Sequence, residues 1–174
     1  MNENPKSVYL LGAEDGVVMG PLMTLAMVLS GASAYLPWLA IPGLLCIFAV
    51  PVAAYMRLAI SHRNAPHAMT FSALWLQGIC MFFFGGLVMA AVVFVLLRWG
   101  APDFVLRQFD AAIKIYSSMD NATAAEMADV FRKAKEAGLV PSALDVALQL
   151  LFFAVFSGSI LSIIYALIIR RKNF

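Results

Sequence analysis

Two adjacent carboxylates, Glu14 and Asp15, lie where a long apolar run of the chain begins. An acid within a bilayer is costly, and it suggests ion or proton coupling by default. The alternative is an interfacial ion pair, for which Arg57 and Arg170 are candidate partners because each lies at the end of a predicted span on the same side of the membrane. The sequence favours pairing or solvent exposure, because these acids lie near the headgroup boundary and no other ionisable residue is deep in a span.

Gln77 is a large polar side chain inside the third predicted span. A buried amide of this kind usually bonds to a neighbouring helix and contributes about 0.6–2 kcal/mol. The alternative is a pore-lining role. His62 and His67 have no acid or cysteine close by in sequence, although zinc needs three or four ligands. We therefore expect no metal site, no cofactor and no catalytic residue, and we predict that the protein is not an enzyme.

The composition is that of a membrane protein, with 63% hydrophobic residues, 13% charged residues and a mean hydropathy of +0.87. A crossing helix needs about 20 apolar residues. The charge-free stretches therefore predict an all-α fold, a four-helix transmembrane bundle in a single membrane domain. Its spans cover residues about 12–33, 38–56, 69–97 and 143–169. The basic residues lie beside these spans rather than in a stripe, so no nucleic-acid partner is expected.

Local signals refine where helices begin and end. Asn4 followed by Pro5 suits a cap and first turn, which predicts a start of the first helix before the acidic pair. Thr123 with Glu126 matches a capping box, and Ser142 with an acid three residues later repeats that signal before the fourth span.

Small residues form stripes on three of the predicted spans. Gly12, Gly16 and Gly20 repeat every four residues and so share one helix face, on which another helix can approach closely. Gly86 and Gly158 belong to similar small faces. We interpret these stripes as packing surfaces, within the chain or between copies.

The segment 103–138 between the third and fourth spans predicts two amphipathic helices. Phe104, Phe109 and Phe131 are candidates for a surface that docks a partner. The alternative is a cap that lies on the membrane or on the end of the bundle. Basic residues close to span ends predict that both termini are cytoplasmic and that this segment lies outside the cytoplasm.

The sequence of the third and fourth spans resembles that of a known group of membrane proteins. The stretch FFFGGLVMAAVVFVLLRWGAPDFVLRQF, and the ending FSGSILSIIYALIIRRK, are similar to a family of small four-span membrane proteins of unknown function that is widespread in Bacteroidota. This resemblance implies a location in the bacterial inner membrane, and it implies no established activity, cofactor or catalytic residue.

These observations predict a non-catalytic protein that packs into a membrane complex as an accessory component. Its partners would be the lipid bilayer and either further copies of itself or a larger membrane complex. The alternative is a small oligomeric ion- or proton-coupled transporter or channel, with Glu14 or Asp15 as the coupling acid and Gln77 in the path.

Overall fold

The computed structural model describes residues 7–64 and 70–171, and within these ranges every regular element is helical. The all-α prediction is confirmed. The helices are α1 (Val8–Ala32), α2 (Ala40–Asn64), α3 (Phe71–Val95), α4 (Phe104–Ser117), α5 (Ala122–Glu136) and α6 (Ala143–Arg171). A 3-10 turn, Pro37–Leu39, leads into α2, and a π-helical turn, Leu96–Gly100, extends α3.

Four of the described segments are long and apolar enough to cross a membrane: Val8–Ala32, Pro37–Asn64, Phe71–Gly100 and Ala143–Arg171. The second extends eight residues beyond the predicted end at 56. It continues because Leu58 and His62 keep a buried face past the charged side chain of Arg57. A long arginine at a span end can extend its guanidinium to the interface while its stem stays in apolar surroundings, so a single charge need not end the helix.

The first helix begins at Val8, four residues before the predicted span. Ser7 is its N-cap, with extended backbone and a side-chain oxygen that accepts a hydrogen bond from the Leu10 amide at 3.3 Å. The predicted cap at Asn4 and Pro5 lies outside the described residues. Because the helix starts at Val8, Glu14 and Asp15 lie in its second turn. Helix geometry therefore determines the face of α1 from which each of these side chains projects.

The chain forms two compact units, one within residues 7–93 and 149–171 and the other of residues 94–148. In the first unit α1 packs on α2, and the buried residues come from all four long helices. Its core is mainly aliphatic and sulfur-containing. The largest side chains of this unit with no exposed surface are Leu58, Leu74, Met81, Gln77 and Ser162.

The second unit pairs α4 with α5 through aromatic side chains. The rings of Phe109 and Phe131 meet edge to face with centroids 5.4 Å apart, and Tyr116 stacks on Phe131 at 5.8 Å. Lys135 also donates a hydrogen bond to Asp110 across the two helices. Aromatic pairs of this geometry stabilise beyond the area that they bury, so the amphipathic faces of α4 and α5 pack against each other.

Capping residues mark the ends of these helices. Asn121, rather than Thr123, caps α5: its backbone is extended and its side-chain oxygen accepts from the Thr123 amide at 3.0 Å. The predicted cap was wrong because Asn121 offers the same acceptor two residues earlier. Before α6 the predicted cap is confirmed, since Ser142 and Asp145 exchange hydrogen bonds between side chains and backbone amides. Gly138, with φ of 69°, ends α5 in the left-handed region.

Candidate functional site

A polar cluster in the first unit joins three of the long helices. It consists of Asp15 on α1, Arg57 and Ser61 on α2, and Gln77 on α3. Arg57 and Ser61 share a helix face because they are four residues apart. The sequence interpretation missed Ser61, although its i, i+4 spacing from Arg57 was the signal that could have found it.

Gln77 is the centre of the polar cluster and has no exposed surface. Its Nε2 donates to Asp15 Oδ2 at 2.9 Å and to Ser61 Oγ at 2.7 Å, so both amide hydrogens are used. Its Oε1 is buried without a hydrogen-bond partner among the described residues. Gln77 therefore links α3 to both α1 and α2, and one acceptor in the cluster remains available.

The charged pair lies beside this amide. Arg57 Nη1 is 3.6 Å from Asp15 Oδ1, and the two side chains are 42% and 14% exposed. Partial exposure reduces the energy of such a pair, because water competes for the guanidinium. Asp15 thus accepts a hydrogen bond from Gln77 with one oxygen and faces the Arg57 guanidinium with the other.

The other two residues proposed for this ion pair have exposed side chains. Glu14 is exposed, one residue and about 100° around α1 from Asp15. Arg170 is exposed near the end of α6 and forms no ion pair with any residue that the structure describes. The structure thus places Asp15 beside Arg57, one of the partners that the sequence interpretation had named for it, and adds Gln77, which had been a separate candidate.

The glycine stripe of α1 lies directly against α3. A Cβ on Gly12 would be 2.5 Å from Cys80 Cβ and 2.8 Å from the Gln77 carbonyl oxygen, and one on Gly16 would be 2.7 Å from Phe84 Cβ. A Cβ on Gly20 would be 2.7 Å from Val88 Cβ. These distances leave no room for a methyl group, so only glycine permits this approach of the two helices.

Gly86 and Gly158 occupy similar contacts between α3 and α6. A Cβ on Gly86 would be 3.2 Å from Ala154 Cβ, and one on Gly158 would overlap the ring of Phe82. Gly78, which the sequence interpretation did not single out, lies against Ser162 in the same tight manner. The signal for Gly78 was its seven-residue spacing from Gly85, which places both glycines on one face of α3.

The aromatic residues predicted to dock a partner are used inside the second unit. Phe109 and Phe131 contact each other between α4 and α5, and Phe104 is half-buried. The exposed apolar side chains of α5 are instead Met127 and Val130, of which Val130 is 59% exposed. Amphipathic pattern alone could not separate these sets, because a helix pair buries its apolar stripe against itself first.

The described residues contain no group of three His, Cys, Asp or Glu side chains that could hold a metal ion. Among curated proteins and solved structures no match is found. A family profile described as protein of unknown function (DUF4199) matches residues 14–171, which include the polar cluster and all six helices except the first residues of α1. The chain therefore belongs to the DUF4199 family of proteins of unknown function.

Proposed function

We propose that the protein is a non-catalytic accessory component of a membrane complex. One observation carries this proposal: the polar groups of the polar cluster are bonded to one another across α1, α2 and α3. Apart from Gln77 Oε1, the side chains of the polar cluster find their partners within the fold, as residues that serve helix packing do. Asp15, Arg57, Ser61 and Gln77 therefore have a structural role, and the surface for a partner lies elsewhere.

The partner surface is assigned to the exposed apolar residues of the second unit. On α5, Met127 and Val130 lie one turn apart and are both exposed, while the neighbouring stripe is buried at Ala124 and Ala128 and half-buried at Phe131. Exposed apolar side chains near charged ones resemble the composition of an interface, with an apolar centre and a polar rim. Asp129, Arg132 and Lys133 supply that rim.

Photocrosslinking in intact cells tests this assignment. A photoreactive amino acid replaces Val130, and the matched control carries it at Thr123, which is exposed on the same helix but polar. We expect one discrete heavier product from position 130 and none from 123. Equal products at both positions, or none at 130, would contradict the proposed surface.

We further propose that the membrane is the bacterial inner membrane, with both termini in the cytoplasm. Basic residues at the ends of α2 and α6 support this orientation, since Arg63 and Arg171 lie at the same end of an even number of spans. Alkaline phosphatase is active only outside the cytoplasm. Its fusion after Asp120 should therefore be active, whereas a fusion after Phe174 should be inactive.

The second candidate is an ion- or proton-coupled transporter. It is favoured by Gln77 Oε1, a buried acceptor without a partner in the described part of the chain, directly beside the Asp15 carboxylate. In proteoliposomes, this candidate requires that Asp15→Asn abolish ion-coupled flux while the purified assembly keeps its mass. The accessory role requires that the same variant leave partner crosslinking at Val130 unchanged.

A further inference from the structure

A crevice in the first unit is separate from the polar cluster. Nine residues from all four long helices line it, every one of them apolar, and its volume is about 190 Å³. Met23, Ala26 and Met89 form part of its buried floor. Ile47 on α2 and Phe153 on α6, which is 72% exposed, stand at its rim. The crevice therefore opens to the outside of the unit between α2 and α6.

The depth of this crevice places it among lipid chains. Met23 is nine residues before the end of α1, which corresponds to about 13 Å along the helix axis. A hydrocarbon core of about 30 Å surrounds a spanning helix at that distance from its end. A ligand that enters the crevice from the side of the helix bundle must come from the hydrocarbon region of the bilayer.

We propose that the crevice binds one acyl chain of a membrane phospholipid and retains it as a structural lipid. An apolar cavity of about 150 Å³ is large enough to bind benzene, so this one holds a segment of several methylenes. Three of its lining residues are methionines, Met23, Met27 and Met89, whose unbranched side chains adapt to an irregular guest.

The size of the crevice argues against a protein as its occupant. A stable protein interface uses about 20–30 residues on each side, whereas nine line this crevice. A single acyl chain needs no larger surface, because side chains of the crevice surround it on several sides. Since every lining residue is apolar, recognition depends on the chain and not on the headgroup.

Native mass spectrometry of the full-length protein, purified in mild detergent, tests the proposal. We expect the wild type to carry one phospholipid, with similar occupancy after incubation with phosphatidylethanolamine or phosphatidylglycerol. Val50→Phe places a ring in the crevice and should reduce the lipid-bound fraction about tenfold, equivalent to about 1.4 kcal/mol. Val52→Phe is the matched control, because Val52 is two residues further along α2 and is 59% exposed.

Three results would overturn the proposal: a wild type without lipid, equal lipid loss in both variants, or a wild-type dimer that Val50→Phe separates into monomers. The last result would assign the crevice to a second copy. A second experiment uses the wild type alone, so its result does not depend on whether Val50→Phe folds. Photoactivatable acyl-chain phospholipid in nanodiscs should label the segments around Ile47 and Phe153 more strongly than Val52 itself, which lies outside the crevice. Even labelling would contradict a bound chain.

Discussion

Adding one methyl group to the α1 glycine stripe should weaken the contact with α3. In Gly16→Ala the new Cβ would lie 2.7 Å from Phe84 Cβ and 2.8 Å from the Met81 carbonyl oxygen. Because the second atom belongs to the backbone, side-chain rotation cannot relieve the overlap and the helices must move apart. Overpacking costs about 1–3 kcal/mol, and the better helix propensity of alanine returns up to about 1 kcal/mol. We expect a net loss of about 1–2 kcal/mol.

Thermal unfolding can be followed through the protein's own cysteine. Cys80 lies against Gly12 in the same contact, so a thiol-reactive fluorophore reports separation of α1 from α3 when Cys46 is replaced by serine. A loss of 1 kcal/mol lowers Tm by about 2–4 °C in a chain of this length. Gly16→Ala should therefore lower Tm by about 2–8 °C.

Gly100→Ala is the matched control for this substitution. Among the residues that the structure describes, a Cβ there would meet only Leu96 Cδ2, at 3.8 Å, which is ordinary van der Waals contact. We expect an unchanged or slightly raised Tm, because alanine reduces the freedom of the unfolded chain. If Gly16→Ala were as stable as Gly100→Ala, the inference that glycine permits the close approach of α1 and α3 would be refuted.

Three further predictions concern the polar cluster and the second unit. Asp15→Ala should lower the free energy of unfolding by about 1–2 kcal/mol. Asp15→Asn should lower it by less, because asparagine keeps an acceptor oxygen for Gln77 and Arg57 can still reach water. Equal losses in the two variants would argue against the hydrogen bond from the Gln77 amide. Lys133 holds the pKa of Asp129 below its ordinary value through a hydrogen bond and its charge. The pair therefore stabilises α5 fully at any pH above the ordinary aspartate pKa, and this stabilisation is lost as the pH falls through the lowered pKa of Asp129. Lys133→Gln should raise the Asp129 pKa in an NMR titration, and an unchanged pKa would contradict the pairing. Phe131→Ala should speed hydrogen exchange across α4 and α5 by removing both ring contacts of the pair, and unchanged exchange would show that the rings are not needed.

The sequence predicted the helices better than their contacts. Hydropathy and charge gaps predicted the four long helices, because a lipid environment requires apolar side chains over a fixed length. The helix ends were predicted less closely. The α2 helix continues past Arg57 because burial, which depends on neighbouring helices, decides how far a helix remains packed.

The polar cluster could be predicted only in its parts. An ion pair of Asp15 with Arg57 was one of the predicted alternatives, because both residues lie near span ends. The hydrogen bond from Gln77 to Asp15 could not be predicted, because it depends on how α1 and α3 rotate about their axes. Ser61 lies beyond the predicted end of the second span at 56, and its only signal was the i, i+4 spacing from Arg57. The roles of Phe109 and Phe131 likewise depended on whether α4 and α5 face each other.

The accessory role is tested most directly by the mass and composition of the complex extracted from native membranes in mild detergent. We expect the wild type to be recovered with one foreign membrane protein in a fixed ratio. That partner should be lost in Val130→Asp and kept in Asp15→Asn. A complex that contains only copies of this chain, unaffected by Val130→Asp, would contradict the account and favour the transporter.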